Sequence, residues 1–343
     1  MIKSKAAIHL KKNHDLKIDQ IELPDPKNNQ VIVKNIATGL CGSQLINLGR
    51  DPRSPELLGH ESTGVIVKKG KNVKGFKEGD EVFLSWVPSK ASKDTEYLEF
   101  SDVKWRKQII SSVIFTWSEY SLVHSQFVHK KNKKVDPIPG SILGCAGITG
   151  FGLVQKYRSS ISNKDICIIG FGGIGSFIVE ACKHFGAKSI TILDKNQKKK
   201  KLLKNIHKIN NFSNLEEILS KNTKFDAVFD TVGNEQSIDT AQKITRNCVP
   251  GYSEGGCIFL IGFPLQIIPV NMRNILMQEQ KIIGCRGGNI KSKVFFDYIQ
   301  DLIVSKKINL SKFVSKEYNF SNINSAIRDL KAGKILTRGV VKF

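Results

Sequence analysis

The stretch "DICIIGFGGIGSFIVEACKHFGAKSITILD", residues 165 to 194, leaves the chain little choice of fold. An unbroken apolar run meets a glycine turn, and the turn opens a helix with Ile174, Phe177, Ile178, Ala181, Cys182 and Phe185 on one face. A second apolar run follows. Apolar runs this continuous read as strands buried on both faces, and a helix between two of them makes a βαβ unit of a parallel sheet. Gly170, Gly172 and Gly175 have the spacing G-x-G-x-x-G, and Asp194 closes the second strand. A turn without Cβ atoms lets the backbone approach a pyrophosphate, the helix start offers unpaired N–H groups, and the carboxylate can accept hydrogen bonds from a ribose diol. Gly170, Gly172, Gly173, Gly175 and Asp194 are therefore candidate dinucleotide contacts. A carboxylate at this place repels a 2′-phosphate, so NAD is favoured over NADP, with Lys195 and the lysines after it as the opposing charge.

Further strand-like runs, "FDAVFDTVG", "GCIFLIGFP" and "KIIGCRGG", have helical segments between some of them, which predicts an α/β, doubly wound parallel sheet. The first third has a different texture. "QVIVKNIATGLCG", "STGVIVKKGKNVKGFKEGDEVFL" and "SEYSLVHSQFV" read as short strands with turns, and predict a β-rich, barrel-like domain. From residue 85 to 115 the pattern loosens into an inserted loop with a short helix. Near the end, "KVFFDYIQDLIVSKKI" and "INSAIRDLKAGK" read as amphipathic helices before "RGVVKF".

Composition narrows the function classes. The 343 residues are enough for two domains with cores. The start, "MIKSKAAIHLKKNHDLKI", has no long apolar segment of a secretory signal, and no apolar run approaches the roughly 18 residues of a membrane span, so a cytoplasmic protein without a membrane partner is expected. Seven cysteines without a C-x-x-C pair point to reduced thiols or metal ligands rather than a disulfide framework. The net charge of +22 raises nucleic acid as a partner. Its lysines are spread along the chain, in runs such as "HKKNKK" and "KNQKKKKLLK", with no RNA-binding aromatic motif or zinc-finger spacing. A solvated basic surface that attracts anionic ligands, and no specific nucleic-acid partner, is the reading that follows.

Cys41 in "GLCGSQ" and His60 in "LLGHES" lie in short glycine-flanked segments. A catalytic zinc takes three protein ligands and leaves a fourth position for water or substrate. Cys145, in "ILGCAGITGFG" just before the nucleotide-binding sheet, could supply the third, whereas Cys167 and Cys182 fall on apolar element faces and read as core. Spacing alone leaves a buried thiol and a turn histidine as the plainer alternative.

Taken together and in order, "GLCGSQ", "LLGHESTGVIV", "FKEGDEV", "LGCAGITGFG", "IIGFGGIG" and "TRGVVKF" resemble the zinc-dependent alcohol dehydrogenases of the medium-chain dehydrogenase/reductase superfamily, over nearly the whole chain. The resemblance implies a GroES-like catalytic domain, 1–146 and 287–343, around a Rossmann dinucleotide-binding domain, 147–286. It implies a catalytic zinc on Cys41, His60 and Cys145 with Glu61 close behind it, Ser43 as the hydroxyl that takes the substrate proton, and Trp86 as a large side chain against the substrate. It also implies Thr149 at the nicotinamide, Lys199 near the adenosine ribose and Arg338 at the pyrophosphate, in a homodimer or homotetramer. The expected activity is hydride transfer between NAD(H) and an alcohol/carbonyl pair.

The chain departs from that pattern in three places. The segment from Ser85 to Phe115 has no cysteine, so one catalytic zinc and no structural zinc is expected. Gln44 stands where the family usually has an aspartate that orients the zinc-bound histidine; a neutral amide can still accept from the imidazole but withdraws negative charge from around the metal. Ile46 stands where many relatives carry a histidine that hands the proton to solvent, so the route beyond Ser43 is undefined. The Ser, Lys, Asp and Glu side chains after Trp86 suggest a polar substrate such as a sugar or polyol, or else merely solvate a loop; Cys145 as third ligand favours the alcohol/aldehyde branch. Two other readings stand beside this one: a zinc-free quinone or enoyl reductase on the same fold, and a non-catalytic binding protein with a basic surface.

Overall fold

"QVIVKNIATGL" forms the long strand Gln30–Leu40, nearly all of it buried, and the first part of the molecule is built around it. The computed structural model describes residues 1–90, 100–207, 209 and 211–343. They form two compact units, Met1–Cys145 with Lys291–Phe343, and Ala146–Ile290.

In the first unit, Gln30–Leu40 lies between Glu61–Lys69 and Arg338–Lys342, both antiparallel to it, and Tyr120–His124 pairs with its opening residues. Glu81–Ser85 and Val128–Lys130 continue this sheet on one side and Val314–Asn319 on the other. A second, antiparallel sheet runs in the order Glu56–Leu57, Ile2–His9, Lys17–Leu23, Ser101–Trp105, Gln108–Ser112. Its inward residues Ile8, Ile21, Val103, Trp105 and Ile110 pack on Phe115 and Leu122. The two strands from Ser101 to Ser112 correct the expected loop with a short helix: alternate side chains of "SDVKW" are buried, and the pair closes through Trp105 opposite Gln108. The polar side chains from 91 to 99, on which the polar-substrate expectation chiefly rests, lie outside the described residues.

Register decides which residues meet. Gly339 pairs with Leu40, Thr38 with Ser62, and Glu61 with Ser85. The ends of these neighbouring strands therefore bring Cys41, Glu61 and Arg338 together, and Trp86 follows Ser85 directly.

The second unit is a six-stranded, all-parallel sheet in the order Phe212–Ser213, Ser189–Leu193, Asp165–Ile169, Ala227–Asp230, Cys257–Leu260, Lys281–Gly284. The glycine turn follows Asp165–Ile169 and opens the helix Gly173–His184, which buries Phe177, Ile178, Ala181 and Cys182, and also Val179 and Glu180. The direction of winding reverses at Asp165–Ile169, and a crevice beyond the carboxyl ends of strands is where such sheets bind ligands. Among the described residues no helix is long and apolar enough to cross a membrane.

One core histidine makes the first unit sensitive to acid. His129 is 6% exposed and stacks on Phe296, ring centroids 4.2 Å apart. Burial pushes its ring from the ordinary 6.5 down to about 4. Between those values the unfolded chain holds a proton that the folded chain does not, so falling pH favours unfolding. We expect stability to be fully present above about 6.5 and to decline by on the order of 3 kcal/mol as pH approaches about 4. Urea midpoints measured across this window should show the slope in the parent and a flatter one in His129→Phe; equal slopes would count against the assignment.

Candidate active site

Gly59 sets the cluster of Cys41, His60 and Cys145 in place. It sits at φ +88°, and a Cβ there would lie 2.6 Å from Trp117 Cδ1 and 2.8 Å from Trp117 N, so the chain can turn into His60 only through glycine. Just beyond, the carbonyl of Glu61 accepts from the Thr38 hydroxyl at 2.7 Å and the Thr116 hydroxyl at 3.2 Å. Cys41 follows the end of Gln30–Leu40, and Cys145 lies in the π-helical turn Leu143–Gly147, tied to Glu81–Ser85 by Ser85 Oγ donating to the Gly144 carbonyl at 2.7 Å.

These supports bring the ligand atoms of Cys41, His60 and Cys145 within 4.8 Å of one another; among the described residues no other cluster of three His, Cys, Asp or Glu side chains comes together in this way. The two sulfurs are 3.7 Å apart. Two thiolates each about 2.3 Å from one tetrahedral zinc stand about 3.8 Å apart, so this separation suits that ion. His60 Nδ1 is engaged by Gln44 at 2.6 Å, while its buried Nε2 has no hydrogen-bond partner of ordinary geometry. The donor set, its spacing and the spare nitrogen fit a divalent, thiophilic metal.

The charges around it are arranged accordingly. Contact with the Cys145 thiol holds Cys41 well below its ordinary range, and Arg338 and His60 act in the same direction. Cys145 is pushed well up by the same contact and by burial, so the pair gives up one proton readily and the second reluctantly. Burial opposes a charge on His60, yet the neighbouring Cys41 and Glu61 raise it. Arg338 and Glu61 form an ion pair at 2.9 Å with both side chains buried. Burial works against the guanidinium charge, but Cys41, Glu61 and Cys145 more than restore it.

Ser43 is exposed and its Oγ donates to Cys41 Sγ at 3.2 Å. Trp86 is half-buried, and Ile46, also half-buried, is on the helix Ser43–Leu48. Sequence reasoning did not single out Gly39, where a Cβ would fall 2.4 Å from Glu61 Oε1; the hint was a glycine inside a strand pattern. Nor did it show that Gln44 bonds a second group, the Gly59 N–H, which donates to its Oε1 at 3.1 Å.

In the second unit the three fingerprint glycines do three different things. Gly170 takes φ +91°; a Cβ on Gly175 would lie 2.2 Å from the Gly170 carbonyl oxygen; a Cβ on Gly172 would meet nothing within 4 Å. The first makes the turn, the third lets helix and strand touch, and the second keeps an open approach above the helix start. No side chain caps that helix start, and Gly173 is its first residue, so N–H groups there are left for an anion. Asp194 Oδ2 accepts from the Phe171 N–H at 2.7 Å and from Lys199 Nζ at 2.8 Å, and Oδ1 from the Asn196 N–H at 2.8 Å. A cavity of about 440 Å³ opens beside them, lined by Ile169, Gly170, Asp194, Ser213, Val232 and Thr240. Thr149 is buried on the helix Ile148–Lys156.

Residues 27–133 match the family model described as alcohol dehydrogenase GroES-like domain, and residues 173–303 match that of the zinc-binding dehydrogenases. The chain belongs to the zinc-type alcohol dehydrogenase family. It is an oxidoreductase of that family, with a GroES-like domain and a Rossmann-like sheet. Among its relatives, alcohol dehydrogenase-like 1 of Arabidopsis thaliana is 28% identical over 98% of this chain and 95% of its own. Geraniol dehydrogenase of Carpoglyphus lactis is 25% identical over 100% of this chain and 98% of its own. The crystal structure of benzyl alcohol dehydrogenase from Acinetobacter calcoaceticus shares the fold, with a TM-score of 0.88 at 22% identity over 100% of both chains.

Proposed function

We propose that this dehydrogenase interconverts an alcohol and its carbonyl compound with NAD(H) and one catalytic zinc. The observation that carries the reading is the convergence of Cys41, His60 and Cys145 with their two sulfurs at a zinc-compatible separation. A zinc-free quinone or enoyl reductase on this fold would have no use for that donor set. Zinc held there would supply a Lewis acid that acidifies an alcohol hydroxyl, and NAD would supply the hydride acceptor.

The chain's own residues support those groups in distinct ways. Two thiolates and Glu61 against Arg338 and a divalent cation sum to zero, so the centre carries no net charge of its own once loaded. Ser43, exposed beside Cys41, would receive the substrate proton, and a hydroxyl must pass it on because it is no base at neutral pH. Trp86 would bound the substrate. Asp194, held by Lys199 and two backbone N–H groups, would take the adenosine ribose, the Gly170–Gly175 turn the pyrophosphate, and Thr149 the nicotinamide. In our reading Arg338 serves the metal site first, as counter-ion to Glu61, with the pyrophosphate contact as an additional role.

We also propose a homo-oligomer, with at least two copies. Phe263, Leu265, Ile267, Met272, Leu276 and Met277 are each more than half exposed, and they precede Lys281–Gly284, which ends the parallel sheet. A second copy would cover both the apolar side chains and the open strand edge. Native mass spectrometry should find one zinc per chain and a dimer or tetramer; a second zinc or a monomer would contradict the respective part. A panel of aliphatic and aromatic alcohols, polyols and sugars, assayed for NAD reduction with zinc content measured in parallel, tests the activity. Undiminished turnover by the zinc-free chain would refute it.

A further inference from the structure

We infer that Gln44 holds His60 in the tautomer that cannot bind metal, so that loading the site forces the Gln44 amide to turn over. The inference rests on the zinc reading of Cys41, His60 and Cys145. The amide touches two groups, one with each of its polar atoms. Its Oε1 accepts from the buried Gly59 N–H at 3.1 Å, and its Nε2 stands 2.6 Å from His60 Nδ1. An amide nitrogen only donates, so in this arrangement Nδ1 is the acceptor and the neutral ring carries its proton on Nε2. Nε2 is the atom left for the metal, buried and without a hydrogen-bond partner of ordinary geometry.

Metal on Nε2 requires the proton on Nδ1, and Nδ1–H then needs an acceptor. Turning the amide over supplies one, but it sets the NH2 group against the Gly59 N–H and orphans that buried donor. The backbone N–H cannot reverse its role, so one amide cannot serve both neighbours of the loaded site. A carboxylate can, since both of its oxygens accept. Gln44 is thus a positioning residue that weakens zinc retention, through hydrogen-bond direction as well as through the charge it lacks.

The test uses the full chain and zinc itself. Competition against a chromophoric chelator should show Gln44→Glu, which keeps the side chain's length and shape, binding zinc about tenfold to hundredfold more tightly than the parent. Unchanged or weaker affinity would overturn the proposal. If Gln44→Glu fails to fold, Gln44→Asp serves the same comparison. Added charge alone could tighten binding, so the tautomer is read separately and without any variant. Histidine 15N shifts under alkaline conditions, where the ring is neutral, should place the His60 proton on Nε2 in the zinc-free parent and on Nδ1 after zinc is added. A zinc-free parent with the proton already on Nδ1 would overturn the proposal while leaving the metal site intact. A parent that binds no zinc at all would instead remove the reading beneath it.

Discussion

Replacing Cys41 with alanine is expected to reduce zinc from one per chain to a trace and to lower kcat/KM by at least about a thousandfold, or about 4 kcal/mol of transition-state stabilisation. Two donors remain, Cys145 and His60, and two-coordinate zinc does not persist against water and buffer. The loss reaches beyond the metal. Cys41 is the first of the charges that hold the buried Arg338 guanidinium, so its removal leaves that cation leaning on Glu61 and on Cys145 alone. A lowered melting temperature should therefore accompany the lost zinc, because a buried charge short of its partners is costly. His60→Ala should lose zinc as well, but it leaves Cys41 and its contact with Arg338 in place. Metal analysis, initial rates and thermal melts on the same preparations check all of this. A Cys41→Ala protein with stoichiometric zinc and parental turnover would defeat the assignment.

Valine at Gly172 should leave the fold intact and weaken NAD about a hundredfold or more. The backbone there is extended, φ −107° and ψ −153°, a conformation open to any residue, and a Cβ would meet nothing within 4 Å. Stability should therefore stay within about 0.5 kcal/mol of the parent. The space that valine would fill lies over the uncapped start of Gly173–His184, where a pyrophosphate needs the backbone bare. Alanine at Gly175 should do the reverse in kind. Its Cβ would come 2.2 Å from the Gly170 carbonyl oxygen, which cannot yield, so a loss of about 1–3 kcal/mol in stability is expected as helix and strand part. Fluorescence titration with NAD and a thermal melt of each variant separate the two effects. Parental NAD affinity in Gly172→Val would show that the turn does not cradle the dinucleotide.

The difference between these two glycines also marks how far sequence carries. G-x-G-x-x-G with its flanking strands was legible because each element there is long, apolar and regular, and the parallel sheet followed from it. Phe212–Ser213 was not, since two residues cannot display a period. The Ser101–Trp105 and Gln108–Ser112 pair was missed for a related reason: Arg106 and Lys107 break the alternation between Trp105 and Ile110, and the exposed Ile109 stands next to the buried Ile110, so that burial alone sorts one face from the other. In the candidate metal site the ligands were legible as residue types in glycine-rich settings. What joins them was not. Arg338 reaches Glu61 because Gly339 pairs with Leu40, and strand register between residues so far apart leaves no trace in local pattern. Gln44 was visible as a departure from its relatives, but its contact with the Gly59 N–H depends on how a short helix faces a turn.

The route of the chain through its two units has a consequence for biogenesis. All three candidate ligands precede Ala146, whereas the strand that carries Arg338 comes after the whole of Ala146–Ile290 has been made. On the ribosome the nascent first unit thus holds two thiols, an imidazole and a carboxyl group while the cation that answers them is still unsynthesised. An entire second unit can be completed in the interval. Closure of Arg338–Lys342 onto Gln30–Leu40 is then a late, long-range step, and it brings in the countercharge together with the strand itself.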